Sequence, residues 1–188
     1  MCEGQHPCPS DAIAFSGLER YRCALREHGV VSCRETEDQP WVPVSGVQGA
    51  TRLSVGSGFG CALVSSRVLC FGDNDVGQLG RAGRDVGSSA APVEGLDADI
   101  LEIAAGVDTA CALRRDGRVL CWGSGSDGGV ANPEHIGGPI APTLVEGVES
   151  VRHLTDRCAL LAGGEVRCWG GWRLDRMLPC DHPARRAS

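Results

Sequence analysis

Val107-Asp108-Thr109-Ala110-Cys111-Ala112-Leu113-Arg114-Arg115-Asp116-Gly117-Arg118-Val119-Leu120-Cys121-Trp122-Gly123 sets two β-prone runs on either side of an Asp-Gly. That pattern predicts a β-hairpin. A three-residue loop of Arg115, Asp116 and Gly117 puts Gly117 at the left-handed position of a bulge, where the absence of Cβ removes the steric cost. Counting outward, Arg114 faces Arg118, Leu113 faces Val119, Ala112 faces Leu120 and Cys111 faces Cys121. Opposed residues of antiparallel strands have Cα atoms about 4.5–5.5 Å apart, within reach of a disulfide.

Cys-Ala-Leu occurs three more times, each with a partner cysteine: Cys23 with Cys33, Cys61 with Cys70, and Cys158 with Cys168. In the first unit Glu27-His28-Gly29 forms the loop with Gly29 as the bulge residue, and in the fourth Ala162-Gly163-Gly164 does the same. The second unit is one residue shorter, and a two-residue Ser65-Ser66 loop still places Cys61 opposite Cys70. Ser-Ser suits a primed turn poorly, so preserved cysteine opposition is the stronger signal. Four disulfides within hairpins are expected. The alternative is pairs of reduced, buried thiols acting as small hydrophobes. A metal site is disfavoured, because the spacing is not Cys-x-x-Cys and no histidine recurs with the repeat.

Other segments recur in step. Arg52-Leu53-Ser54-Val55-Gly56 and Ile100-Leu101-Glu102-Ile103-Ala104-Ala105-Gly106 precede their Cys-Ala-Leu strands. Further upstream lie Pro43-Val44-Ser45-Gly46-Val47, Pro92-Val93-Glu94-Gly95-Leu96 and Pro142-Thr143-Leu144-Val145-Glu146-Gly147-Val148. Proline suits an edge strand, where its missing N–H costs nothing. About four short antiparallel strands per unit, repeated four times, predict an all-β chain of β-propeller-type blades. The boundaries expected are an N-terminal tail over 1–12, repeats over about 13–45, 46–93, 94–145 and 146–172, and a C-terminal tail over 173–188.

The 188 residues carry no lysine and a formal net charge of −6, which argues against general nucleic-acid binding. No run approaches the roughly 20 apolar residues of a membrane span. Met1-Cys2-Glu3-Gly4 shows no basic or apolar leader, whereas the cysteine content favours an oxidising compartment. The chain is therefore expected to be part of a longer extracellular, periplasmic or cell-surface protein, with a cytosolic chain of reduced thiols as the alternative.

Candidate chemical sites are sparse. None of His6, His28, His135, His153 and His182 stands in a nucleophile-activating motif. Asp73, Asp75 and Asp127 lie in glycine-containing turns, but Asp73-Asn74-Asp75 is too short for an EF-hand type calcium loop. Gly56-Ser57-Gly58-Phe59-Gly60 lacks the lysine and following helix of a phosphate-binding loop. No catalytic residue, cofactor or metal is expected. Trp122 and Trp169 hold equivalent positions suited to packing between blades. Trp41 and Trp172 do not recur and are candidates for surface contact. Cys2, Cys8 and Cys180 remain for an extra disulfide, either Cys2–Cys8 or Cys8–Cys180.

The ending Cys70-Phe71-Gly72-Asp73-Asn74-Asp75-Val76-Gly77-Gln78-Leu79-Gly80 carries a family resemblance. Together with Asp116-Gly117-Arg118-Val119-Leu120-Cys121-Trp122-Gly123 and Glu165-Val166-Arg167-Cys168-Trp169-Gly170, it resembles the regulator of chromosome condensation repeat in its bacterial-type, Cys-Ala-Leu … Cys-Trp-Gly form. The resemblance covers most of residues 13–172. Unit one ends Ser32-Cys33-Arg34 without Trp-Gly, and unit three has Ser124-Gly125-Ser126-Asp127-Gly128-Gly129 in place of Gly-Gln-Leu-Gly. The resemblance implies a ring of about seven blades, so four units are expected to form an incomplete or open ring. It also implies protein binding through loops on one face. Some relatives act as exchange factors for small GTPases and one bacterial relative inhibits β-lactamase. The expected function is a non-enzymatic protein-binding module, with self-association through open blade edges a further expectation. The alternatives are a hydrolase or lyase with its site at the ring mouth, or a fragment without independent function.

Overall fold

The structure, a computed structural model, describes residues 7–18, 21–82, 87–96, 99–126, 129–130, 139–170 and 178–179. It is all-β, with four four-stranded antiparallel sheets in chain order. The first sheet joins β1 (Ala12–Leu18), β2 (Tyr21–Arg26), β3 (Val31–Arg34) and β4 (Val42–Pro43). The second joins β5 (Ala50–Val55), β6 (Phe59–Val64), β7 (Arg67–Gly72) and β8 (Gly87–Pro92). The third joins β9 (Ile100–Ala105), β10 (Thr109–Arg114), β11 (Val119–Ser124) and β12 (Pro139–Leu144). The fourth joins β13 (Val151–Leu154), β14 (Cys158–Leu161), β15 (Val166–Cys168) and β16 (Leu178–Pro179). Among the described residues no helix is long and apolar enough to cross a membrane.

The register agrees with the count across the turns. Leu113 faces Val119 and Cys111 faces Cys121, and Gly117 takes φ +81°. Cys23 faces Cys33, Cys61 faces Cys70 and Cys158 faces Cys168. All four pairs are disulfide-bonded, with Cα atoms 4.0–4.1 Å apart. In the second hairpin Ser65 and Ser66 stand at φ +47° and +64°, so two residues with Cβ atoms occupy the left-handed region. That costs roughly 1–2 kcal/mol per residue. Replacing Ser65-Ser66 by Asn-Gly is expected to stabilise the chain by about 1 kcal/mol, read as a higher denaturation midpoint at unchanged slope.

The cores lie between sheets. One seam packs Cys23, Leu25, Val31 and Cys33 of the first sheet against Val55, Ala62 and Phe71 of the second. The next packs Cys61, Leu63, Val68 and Cys70 against Ile103, Ala112 and Trp122. The third packs Cys111, Leu113, Val119 and Cys121 against Leu154, Ala159 and Trp169. Each fully buried aliphatic or aromatic side chain contributes about 1.5–3 kcal/mol. The disulfides thus form part of the packing between blades as well as cross-linking hairpins, a role that strand counting alone does not show.

Backbone donors on the first strands are met across the seams. Ser16 Oγ accepts from Val55 N–H at 3.0 Å, Ser54 Oγ from Ala105 N–H at 2.9 Å, and Glu102 Oε2 from Leu154 N–H at 2.9 Å. Packing runs from β1 to β5, β5 to β9 and β9 to β13, which makes an unclosed arc. Pro43, Pro92 and Pro179 sit in the outermost strands β4, β8 and β16, where no further strand needs their N–H. β16 falls within the stretch expected to be a tail, because a two-residue edge strand leaves no periodic signal.

Candidate functional site

The seam between the first and second sheets holds a cleft of about 540 Å³. Its origin lies in the loops that follow each third strand. After β7, Asn74 is buried, and its Oδ1 accepts from Leu79 N–H at 3.0 Å while its Nδ2 donates to Arg81 O at 3.2 Å. Those bonds drive Leu79, fully buried, into the seam, and Trp122 Nε1 donates to Gln78 O at 3.0 Å. After β3 the sequence is Glu35-Thr36-Glu37-Asp38-Gln39-Pro40, with neither the asparagine nor the leucine. The partner across that seam is Phe71 rather than tryptophan, and it has no N–H to offer. The seam is left open.

Tyr21, Arg34, Glu35, Gln39 and Pro40 line one side of the cleft, and Gly58, Phe71, Gly72 and Asp73 the other. Gly72 takes φ +99°, and an added Cβ would collide with Gly58 O and Phe59 Cα, so this wall requires glycine. Burial pushes the Asp73 carboxyl above the ordinary carboxylate range, aided by the charges of Asp75 and Glu35. Burial likewise pushes the Tyr21 phenol up to about 12, with Asp73 and Glu35 adding to the effect. The cleft therefore pairs an aromatic floor with excess negative charge, and its tyrosine stays protonated as a hydrogen-bond donor.

The charge on the opposite side is tied down. Arg34 is 3% exposed, donates through Nη1 to Glu37 O at 3.1 Å and lies 4.6 Å from the Trp41 ring centroid. Arg22 is ion-paired to Glu37, which lowers the Glu37 pKa. A second recess of about 390 Å³, lined by Cys8, Phe15, Arg22, Arg34 and Trp41, opens on the outer face of the first sheet. Trp41 is half-buried there, tilted 57° to Phe15 at 6.1 Å, and its Nε1 is buried without a hydrogen-bond partner.

Those of the residues singled out in the sequence that the structure describes are not gathered into one site. His28 sits in the first hairpin turn at φ +62°, and His153 faces Glu102 at 3.8 Å on the β9 and β13 side. Trp169 Nε1 donates to Gly129 O at 3.1 Å, as Trp122 does one blade earlier. Cys8 is disulfide-bonded. Cys2, Cys180, Trp172 and Asp127 lie outside the described residues. Among the described residues no cluster of His, Cys, Asp or Glu could hold a metal ion. Tyr21, Arg34 and Phe71 were not singled out in the sequence as binding residues. The departure of units one and two from the Trp-Gly pattern is the signal that marks them.

Residues 100–128 match the family model described as "Regulator of chromosome condensation (RCC1) repeat". The E3 ubiquitin-protein ligase HERC2 of Mus musculus is 31% identical over 150 residues, covering 74% of this chain and 3% of that protein. Prp20p from Saccharomyces cerevisiae, whose structure was described with its binding to Gsp1p and histones, superposes with a TM-score of 0.71 at 17% identity. That match covers 85% of this chain and 45% of Prp20p. The ectodomain of the Physcomitrella patens receptor kinase CR4 gives a TM-score of 0.57 at 23% identity, over 94% of this chain and 45% of that one. This chain thus spans a small part of the ligase and under half of each structure. These three relatives are eukaryotic, and they lend no support to the expectation of a bacterial type.

Proposed function

Because the chain belongs to the regulator of chromosome condensation repeat family and folds as β-propeller blades, we propose that it is a non-enzymatic protein-binding module whose partner inserts a basic side chain into the cleft between the first and second sheets. One observation carries this reading: the cleft of about 540 Å³ where Glu35 and Asp73 face an aromatic floor of Tyr21 and Phe71. A partner arginine or lysine brings an apolar stem for the floor and a charge for the carboxylates. Tyr21, protonated throughout the physiological range, serves as a donor and not as a proton-transfer group, which favours recognition over catalysis. The bonded state of the eight repeat cysteines and Cys8 supports an oxidising compartment, extracellular, periplasmic or cell-surface.

Asp73→Asn separates binding from stability. A raised folded pKa means that the folded state holds the proton more tightly than the unfolded chain. Stability then falls as pH rises through the interval between the ordinary carboxylate value and that of folded Asp73. The amide removes this burden, so Asp73→Asn is expected to melt at a slightly higher temperature than the parent at pH 7. The same change should weaken a cationic ligand about tenfold. The full chain selected against a displayed random-peptide library should enrich peptides containing arginine or lysine, and Asp73→Asn and Glu35→Gln should release them. Enriched peptides without basic residues, or indifference to both substitutions, would overturn the reading.

A further inference from the structure

The cleft in the first seam suits one kind of cation better than positive charge in general. Glu35, in the loop after β3, and Asp73, in the loop after β7, line its opposite sides. Both carboxylates act through space on the Tyr21 phenol, and Glu35 and Asp75 act on Asp73. Among the described residues no group of three or more His, Cys, Asp or Glu could hold a metal ion. Glu35, Asp73 and Asp75 therefore share one space without closing on a single point. Arg34 lines the same cleft, but it is 3% exposed, its Nη1 donates to Glu37 O and its guanidinium lies over the Trp41 ring.

A lysine ammonium is a compact, strongly hydrated point charge. A guanidinium is a planar fork of five donors that bonds carboxylates along its edges and stacks on an aromatic face. Two carboxylates on separate walls, beside a tyrosine, fit the second group and not the first. The wall across from Tyr21 includes Gly58 and Gly72, at φ +75° and +99°, so at these positions no side chain narrows the slot. Toward the outer strand β4 the cleft continues along Pro40, Val42 and Pro43, and Val42 is 59% exposed. The two prolines have no N–H, so this lip offers apolar side chains more than strand-pairing donors. The cleft of about 540 Å³ is of the size that takes a ligand of several groups, and one side chain does not fill it.

The geometry points to an arginine, and not a lysine, as the occupant: its guanidinium bonds Glu35 and Asp73 from the slot beside Tyr21, and a neighbouring aliphatic side chain of the same partner segment covers Val42. The partner is thus an extended stretch of another protein in which arginine stands next to an aliphatic residue. Charge complementarity sets the arginine, because the carboxylates come from two sheets and only a group with donors on several edges serves both. The exposed Val42 sets the neighbour, since covering it removes apolar surface from water. This inference rests on the cleft reading and narrows it to one side chain and its neighbour.

Fluorescence anisotropy of the oxidised full chain with three labelled pentapeptides tests it. One carries arginine between two leucines, the second lysine between two leucines, and the third arginine between two serines. The first is expected to bind about tenfold tighter than either of the others. Glu35→Gln should cost the arginine peptide more than the lysine peptide, so that the two affinities converge. Val42→Ser should bring the leucine-flanked arginine peptide down to the level of the serine-flanked one and leave the latter unchanged. Both side chains are exposed, and circular dichroism checks that each variant keeps the parent's fold. Lysine binding as tightly as arginine would overturn the choice of arginine while the cleft stands as a cation site. Equal binding of the leucine-flanked and serine-flanked arginine peptides would overturn the neighbour on Val42. Binding of neither basic peptide, or binding indifferent to both Glu35→Gln and Asp73→Asn, would overturn the cleft reading and this inference with it.

Discussion

Trp122→Ala is expected to destabilise the chain by about 3–5 kcal/mol, a large part of the whole stability of a domain. The indole is fully buried in the second seam, among Phe59, Leu79, Val93 and Ile103. Its N–H bonds Gln78 O at 3.0 Å. The fit extends to the backbone: a Cβ at Gly80 would stand 2.9 Å from Trp122 Cδ1 and 3.0 Å from Nε1. Truncation opens a cavity that the β-sheets on either side are too stiff to fill, and it orphans the Gln78 carbonyl. Trp122→Phe should retain most of the packing and lose chiefly the hydrogen bond, at about 1–2 kcal/mol. Denaturant unfolding measures both. A cost for the alanine variant below that of the phenylalanine variant would mean the seam is not packed as described.

Reduction of the four hairpin disulfides is expected to unfold the chain at ambient temperature. Each closes a loop of 9 or 10 residues in sequence separation. Loops of that length contribute about 2–3 kcal/mol each in the chain-entropy estimate, so four approach the roughly 5–15 kcal/mol of a domain. The order of reduction is set by burial. Cys23–Cys33, Cys61–Cys70 and Cys111–Cys121 are sealed in seams, whereas Cys158–Cys168 in the fourth sheet is half-buried. Under limiting reductant Cys158–Cys168 should be alkylated first, with the fourth blade loosening before the others. Mass spectrometry of alkylated peptides reads the order. Equal rates at Cys111 and Cys158 in the folded protein would contradict the arrangement of the seams.

The hairpins were legible because their determinants are local. Gly117 tolerates the left-handed region, strand alternation sets which residues oppose, and a one-residue change of loop length is absorbed by Ser65-Ser66. The cleft was not legible as a site. Asp73 is an ordinary turn residue in the sequence, and its raised pKa arises from burial in the seam, with the charges of neighbouring Asp75 and of Glu35, in the loop after β3, adding to it. Arg34 reads as the missing member of a Trp-Gly pattern, and only packing shows it held beneath Trp41 and bonded to Glu37 O. What could be noticed beforehand was the departure of units one and two from the repeat, since a seam with weaker filling residues is where a cavity forms.

By itself the sequence determined the strand order within each blade, the register of each hairpin and the opposition of the cysteines. All of these follow from turn length and a period of two, which act between neighbours along the chain. Only the tertiary structure decided that the first three disulfides each face the following blade and that the first seam stays open. Those outcomes depend on which side of a sheet meets its neighbour and on what fills the gap between them. Burial at such a seam is a property of two blades together, and neither blade's residues encode it alone.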